Sequence, residues 1–144
     1  MQAILFSESE QKRVVEAINA AEMATSGEIR VHIEQFCSES DVLERAKQVF
    51  AQLGMHRTEL KNGVLFYLAT KDRKFAVLGD QGINERVPED FWNNVRDLMR
   101  THFIKEAFAE GLSKGIEQAG QQLKTYFPRQ DNDQNELSDD ISFG

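Results

Sequence analysis

Val64-Leu65-Phe66-Tyr67-Leu68-Ala69 leads into the polar turn Thr70-Lys71-Asp72-Arg73 and then into Phe75-Ala76-Val77-Leu78. The first run is too short for a typical helix and rich in strand formers. A strand that is apolar throughout is covered on both faces, so this one is expected at the centre of a sheet. The turn returns the next strand antiparallel, with Asp72 in the hairpin connection. A central strand covered on both faces needs helices above and below it, and that requirement sets the fold class.

Working outward, Glu28 to Phe36 alternates. Ile29, Val31 and Ile33 point one way, and Arg30, His32 and Glu34 the other. This pattern predicts a strand with one polar face, at a sheet edge, with His32 exposed. Between the two strands lies a helix that starts at Ser40-Asp41. Val42, Leu43, Ala46, Val49, Phe50 and Leu53 form its apolar stripe, and Gly54 stops it. Strand, helix and strand make a right-handed crossover unit with parallel strands.

Ser7-x-x-Glu10 has the spacing of a capping box and opens an N-terminal helix that carries Val14, Ile18 and Ala21 on one face. Gly27 suits the end of that helix. Gly79 to Arg86 has no period and contains two glycines, which predicts a loop. Pro88-Glu89-Asp90 opens a helix striped by Phe91, Val95 and Leu98. Ile104, Phe108, Leu112, Ile116, Ala119 and Leu123 mark another from about Ile104 to Tyr126. Gly111 and Gly115 lie one turn apart inside it, and close approach to the sheet is the expected compensation for their helix cost.

The expected architecture is therefore α/β: a compact sandwich of a small mixed β-sheet flanked by about four helices. One domain spans 1–128, and residues 129–144 form an acidic tail expected to be mobile. Within that tail Asp131-Asn132-Asp133-Gln134-Asn135-Glu136 imitates an EF-hand loop. The imitation fails, because Glu136 stands where glycine is required and Ser142 where the bidentate Glu belongs.

The net charge of −7 disfavours nucleic acid and anionic membrane surfaces as partners. Cations and a basic protein partner are the better expectations. One cysteine, Cys37, excludes an internal disulfide and any multi-cysteine zinc site. No apolar run is long enough to span a membrane, and Met1 to Glu8 lacks a basic leader, so a cytoplasmic location and no membrane insertion are expected. His32, His56 and His102 show no metal-ligand spacing. Walker A, GxGxxG and Gly-x-Ser-x-Gly patterns are absent.

The topology itself carries the functional argument. The N-terminal ends of the two parallel strands share a rim with the C-terminal end of the antiparallel one. That rim collects Glu28, Asn62, Asp80, Asn84 and Glu85. Oxygen-bearing side chains so placed suit a hard cation, and Glu28, Asp80, Asn84 and Glu85 are the candidate ligands for Ca²⁺ or Mg²⁺. The competing reading is a set of solvated charges at strand ends. Asp72 falls on the opposite rim, near Cys37 and Ser38, as a turn residue.

Thr25-Ser26-Gly27-Glu28-Ile29, Asn62-Gly63-Val64-Leu65, Asp72-Arg73-Lys74, Gly79 with Gly82-Ile83, and Phe-Ala-Glu-Gly-Leu-Ser-Lys-Gly from Phe108 to Gly115 occur in this order. Over about residues 5–127 this set resembles the TPM domain family, found in bacterial proteins and in a plant thylakoid-lumen protein linked to photosystem repair. The resemblance implies a compact α/β sandwich. It implies two functions as well, since some members are described as acid phosphatases and some as binding divalent cations, calcium included, through acidic residues near the loops. Others look like accessory or interaction domains. The loop departs from the commoner pattern: Asn84 stands where Glu is usual, and Asp80-Gln81 lengthens the turn. The leading expectation is a cation-binding accessory domain. The alternative is a metal-assisted acid phosphatase with Asp80 or Glu85 as base or ligand. An interaction module without metal is a third.

Overall fold

A computed structural model describes residues 6–129, 137 and 139–144. Helix α1 (Glu8–Ala24) is followed by strand β1 (Glu28–Glu34) and helix α2 (Val42–Gln52). A single 3₁₀ turn, Met55–Arg57, leads to β2 (Gly63–Ala69), β3 (Lys74–Gly79) and the short helix α3 (Gln81–Asn84). Helices α4 (Asn93–Phe103) and α5 (Phe108–Leu123) and the short strand β4 (Ser142–Phe143) complete the order.

The sheet order is β3-β2-β1-β4. Strands β1 and β2 run parallel with Glu28 opposite Gly63, and β3 returns antiparallel with Val64 opposite Gly79. All seven residues of β2 are buried, as its unbroken apolar run requires. On one face Ile29, Val31, Ile33, Val64, Phe66 and Val77 meet α1, α4 and α5. On the other, Leu65, Tyr67 and Ala76 meet α2. The described residues form an α/β sandwich with a mixed sheet and five helices, one of them a single turn.

Four expectations are corrected. Strand β1 is not at an edge, because β4 pairs with it in parallel through His32–Ser142 and Ile33–Phe143. Its polar face is not solvated, and His32 and Glu34 are buried. The loop after β3 contains α3, since Asp80 caps a turn by accepting the Gln81 N–H at 2.7 Å. The last two helices start later than the apolar pattern predicts. Turn hydrogen bonds to Pro88 and Asp90 precede α4, and Glu106 at φ 61° separates α4 from α5.

The tail is not uniformly detached. Leu137 is buried in the α2 layer and Ser142–Phe143 extends the sheet. The EF-hand-like stretch 131–136 and the N-terminal patch 1–5 lie outside the described residues. No helix among the described residues is long and apolar enough to cross a membrane.

The close approach expected of Gly111 and Gly115 is real, but its partner is mainly α4. A Cβ on Gly111 would lie 2.6 Å from the Phe103 ring, and one on Gly115 would lie 2.7 Å from Met99 Sδ. Helix packing against helix is the compensation.

Candidate functional site

The strand-end rim forms as the topology requires. Glu28 N–H donates to the Asn62 carbonyl at 3.2 Å, and Asp80 N–H donates to the Gly63 carbonyl at 2.9 Å. These two bonds bring the starts of β1 and β2 and the end of β3 side by side. Glu28 is buried, and its Oε1 accepts the Leu137 N–H at 2.7 Å.

Asn62 is 1% exposed. Its Nδ2 donates to the Ser26 carbonyl at 3.0 Å, and its backbone N–H is held by Thr58 Oγ1 at 3.2 Å. Its Oδ1 is buried with no hydrogen-bond partner. Asp80 Oδ2 is in the same condition, while Oδ1 caps α3. A buried oxygen left without a donor costs free energy, so two on one rim call for an explanation.

Asn84 and Glu85 are brought to the same loop but lie farther out. Asn84 Nδ2 donates to the Gly79 carbonyl at 3.2 Å, and Glu85 Oε2 accepts from Gln81 Nε2 at 3.0 Å. Both residues are exposed. The loop is pinned from beneath, because Gly82 N–H donates to the Lys61 carbonyl at 2.8 Å. Any Cβ at Gly82 would collide with the carbonyl oxygens of Leu60 and Lys61, so glycine alone fits. Lys61 itself takes a left-handed φ of 52° to present that carbonyl.

Among the described residues, no three His, Cys, Asp or Glu side chains converge into a ready cluster for a metal. A cation at the rim would therefore need amide, backbone or water oxygens beside the carboxylates. Ca²⁺ accepts such a mixed oxygen set, whereas zinc prefers nitrogen and sulfur.

Two polar groupings escaped the sequence reading. On the α2 face, Arg45 grips Glu34 with two 2.8 Å bonds, and the Tyr67 hydroxyl donates to Glu34 Oε2. His32 Nε2 lies 3.1 Å from Glu34 Oε1, and its Nδ1 lies 2.9 Å from Ser142 Oγ. Burial alone would raise the Glu34 pKa, but hydrogen bonds from Arg45, Tyr67 and His32 outweigh it and hold the carboxyl down at about 2. Burial pushes the His32 imidazole below its ordinary value, against the pull of Glu34. Burial, then its bond to Glu34, raises the Tyr67 hydroxyl.

The second grouping is Glu22, buried at the end of α1. Its Oε2 accepts the Ile29 N–H at 3.1 Å. Burial, reinforced by a side-chain hydrogen bond to Asp139, pushes its pKa up to about 9. Here a signal was present. Ile18, Ala21 and Glu22 stand at helical spacing on the buried stripe, so an acid was due inside.

The sequence pattern of the TPM domain matches residues 1–122. The chain belongs to the TPM domain family. The BA42 protein of the psychrophilic bacterium Bizionia argentinensis, solved by NMR, is similar to this TPM chain at 47% identity and a TM-score of 0.91, covering 96% of this chain and 95% of that one. The N-terminal domain of a P. gingivalis protein aligns at TM-score 0.70 and 21% identity over 85% of this chain and 79% of its own. The N-terminal domain of the cg2496 protein from Corynebacterium glutamicum aligns at 0.65 and 16% over 80% and 72%. At those identities the last two show the shared fold alone. No curated protein matches the chain.

Proposed function

We propose that this TPM domain binds a divalent cation, Ca²⁺ in preference to Mg²⁺, at the strand-end rim and serves as an accessory or interaction domain. The observation that carries the reading is the pair of buried, unpartnered oxygens, Asn62 Oδ1 and Asp80 Oδ2. A cation supplies what both lack. Glu28 adds a carboxylate on the adjacent strand, and Asn84 and Glu85 supply further oxygens from the same loop. A mixed set of this kind, part carboxylate and part amide, favours the ion that tolerates irregular geometry over octahedral Mg²⁺. A basic partner remains the protein partner that the chain's negative charge favours.

The phosphatase reading asks for more. Phosphoryl transfer needs cationic donors beside the metal. Arg86 lies over the Phe127 ring at 4.9 Å, and Lys61 Nζ donates to the His56 carbonyl at 2.7 Å. These two cations are engaged elsewhere, so binding ranks ahead of catalysis.

The test is a thermal melt after chelation, repeated with millimolar Ca²⁺ and with Mg²⁺, on the wild type and Asp80→Asn. Asparagine keeps the cap on α3 and removes the charge. Ca²⁺ is expected to raise the wild-type midpoint by mass action and to leave the variant unmoved. A midpoint indifferent to both ions would overturn the proposal.

A further inference from the structure

At the other end of the sheet, a cavity of about 230 Å³ opens between the β2–β3 turn and the junction of α4 with α5. Leu68, Phe75, Phe103 and Phe108 line its apolar part. The three rings brace one another. Phe75 meets Phe103 edge-on at 5.0 Å, and Phe103 meets Phe108 at 5.7 Å. Ile104 stands at the mouth, 71% exposed.

Two arginines, Arg73 and Arg100, complete the lining. Neither is committed to the core. Arg73 Nη2 bonds Glu106 Oε1 at 2.8 Å, and Arg100 Nη1 bonds Asp97 Oδ1 at 3.3 Å, all four side chains being more than half exposed. Exposed pairs of this kind contribute little, and each guanidinium keeps further donors in hand. The Arg100 guanidinium also sits 5.7 Å from the Phe75 ring centroid, which fixes it over the cavity wall. Two residues at this junction hold left-handed backbone without being glycine: Arg73 at φ 55° and Glu106 at φ 61°. An apolar pocket with a few convergent polar groups is the general form of a small-molecule site. In a chain of net charge −7, two arginines at the mouth of an aromatic pocket select for an anionic head.

We propose that this cavity binds a small amphipathic carboxylate, an aryl or short alkyl acid. Its apolar body lies among Phe75, Phe103 and Phe108, and its carboxylate competes with Glu106 for Arg73 and with Asp97 for Arg100. The site is independent of the cation rim, from which it is separated by the length of β2.

The test is an amide NMR titration with 3-phenylpropionate, with 3-phenylpropanol as the neutral control. Saturable shifts are expected at Arg73, Phe75 and residues 103–108, and none at Glu28, Asn62 or Asp80. The alcohol should bind at least tenfold more weakly. The double variant Arg73→Gln/Arg100→Gln should lose tenfold or more in affinity for the acid, and Glu106→Gln should gain several-fold by freeing Arg73. These substitutions are at exposed positions, and an unchanged amide spectrum away from the cavity confirms the fold. Equal binding of acid and alcohol would overturn the assignment of the arginines. No saturable shift at millimolar acid would overturn the site. Shifts that follow protein concentration instead of ligand would assign this face to a second copy of the chain and overturn the proposal as well.

Discussion

Glu22 and Glu34 are both buried glutamates, and they answer burial in opposite ways. Glu34 has an arginine, a tyrosine hydroxyl and an imidazole around it and stays ionised. Glu22 has a backbone N–H and another carboxyl, and it holds its proton to about pH 9. The same substitution therefore has opposite outcomes. Glu22→Gln keeps the shape and a donor toward Asp139 while removing the need to hold a proton. It should stabilise the protein at pH 8 by about 1–3 kcal/mol, a rise of several degrees in Tm. Glu34→Gln leaves the Arg45 guanidinium without its counter-charge and should cost about 3–5 kcal/mol. Urea denaturation of both variants at pH 8 checks the pair, and two changes of the same sign would refute the contrast. Periodicity could place Glu22 inside. It could not place Glu34 there, because Arg45 and Tyr67 reach it from two other elements and no local pattern in β1 announces them.

At the scale of elements, legibility followed whether a pattern was local. The run from Val64 to Ala69 announces a central strand because each residue alone favours burial and extended backbone. Helix α1 announces its start because the capping box lies within four residues, and it forms with Ser7 Oγ accepting the Glu10 N–H. The boundary between α4 and α5 was hidden. Ile104 fits the apolar stripe of α5 by spacing, yet it is exposed, and the break occurs at Glu106, a residue with no turn preference. What ends α4 is its own C-terminal turn, in which Ala107 N–H donates to the His102 carbonyl at 3.0 Å. Strand β4 was hidden because two residues carry no period, and its partner β1 is far away in sequence.

The contact between α1 and α5 gives an element-scale prediction. A Cβ on Gly120 would lie 2.8 Å from Ala21 Cβ and 2.9 Å from Ala21 Cα, so the two helix backbones touch there. Alanine is the better helix former, and at a solvated position it would stabilise. Here Gly120→Ala should force the helices apart and cost about 1–3 kcal/mol. A gain in the urea midpoint would show that the contact yields freely.

For the whole molecule, three buried groups set how stability depends on pH. Glu34 has a folded pKa of about 2 against an ordinary 4.5, so its contribution is present above 4.5 and lost as pH falls toward 2. His32 is depressed below 6.5, so stability also falls as pH drops from 6.5 into the range where the folded imidazole is forced to protonate. The charged groups acting on that ring are Glu34, Arg45 and Arg30, with Ser142 of β4 on its other nitrogen. Protonation thus bears on a side-chain contact between β1 and β4, beside the backbone pairing of the two strands. Glu22 acts in the other sense. Its pKa rises from 4.5 to about 9, so its contribution is complete below 4.5 and is lost as pH climbs toward 9. Between 4.5 and 6.5 the imidazole and Glu22 oppose each other, and the maximum of Tm should fall in that interval. Above the ordinary imidazole range and up to 9, Glu22 sets the slope among these three groups and Tm should decline. General repulsion in a chain of pI near 5.0 acts equally on wild type and variant, so Glu22→Gln isolates the term. Calorimetry from pH 3 to 9 should show the alkaline decline flattened in Glu22→Gln and the acid limb retained. An alkaline limb of equal steepness in both proteins would mean that Glu22 is ionised in the folded state and that its bond to Asp139 does not hold a proton.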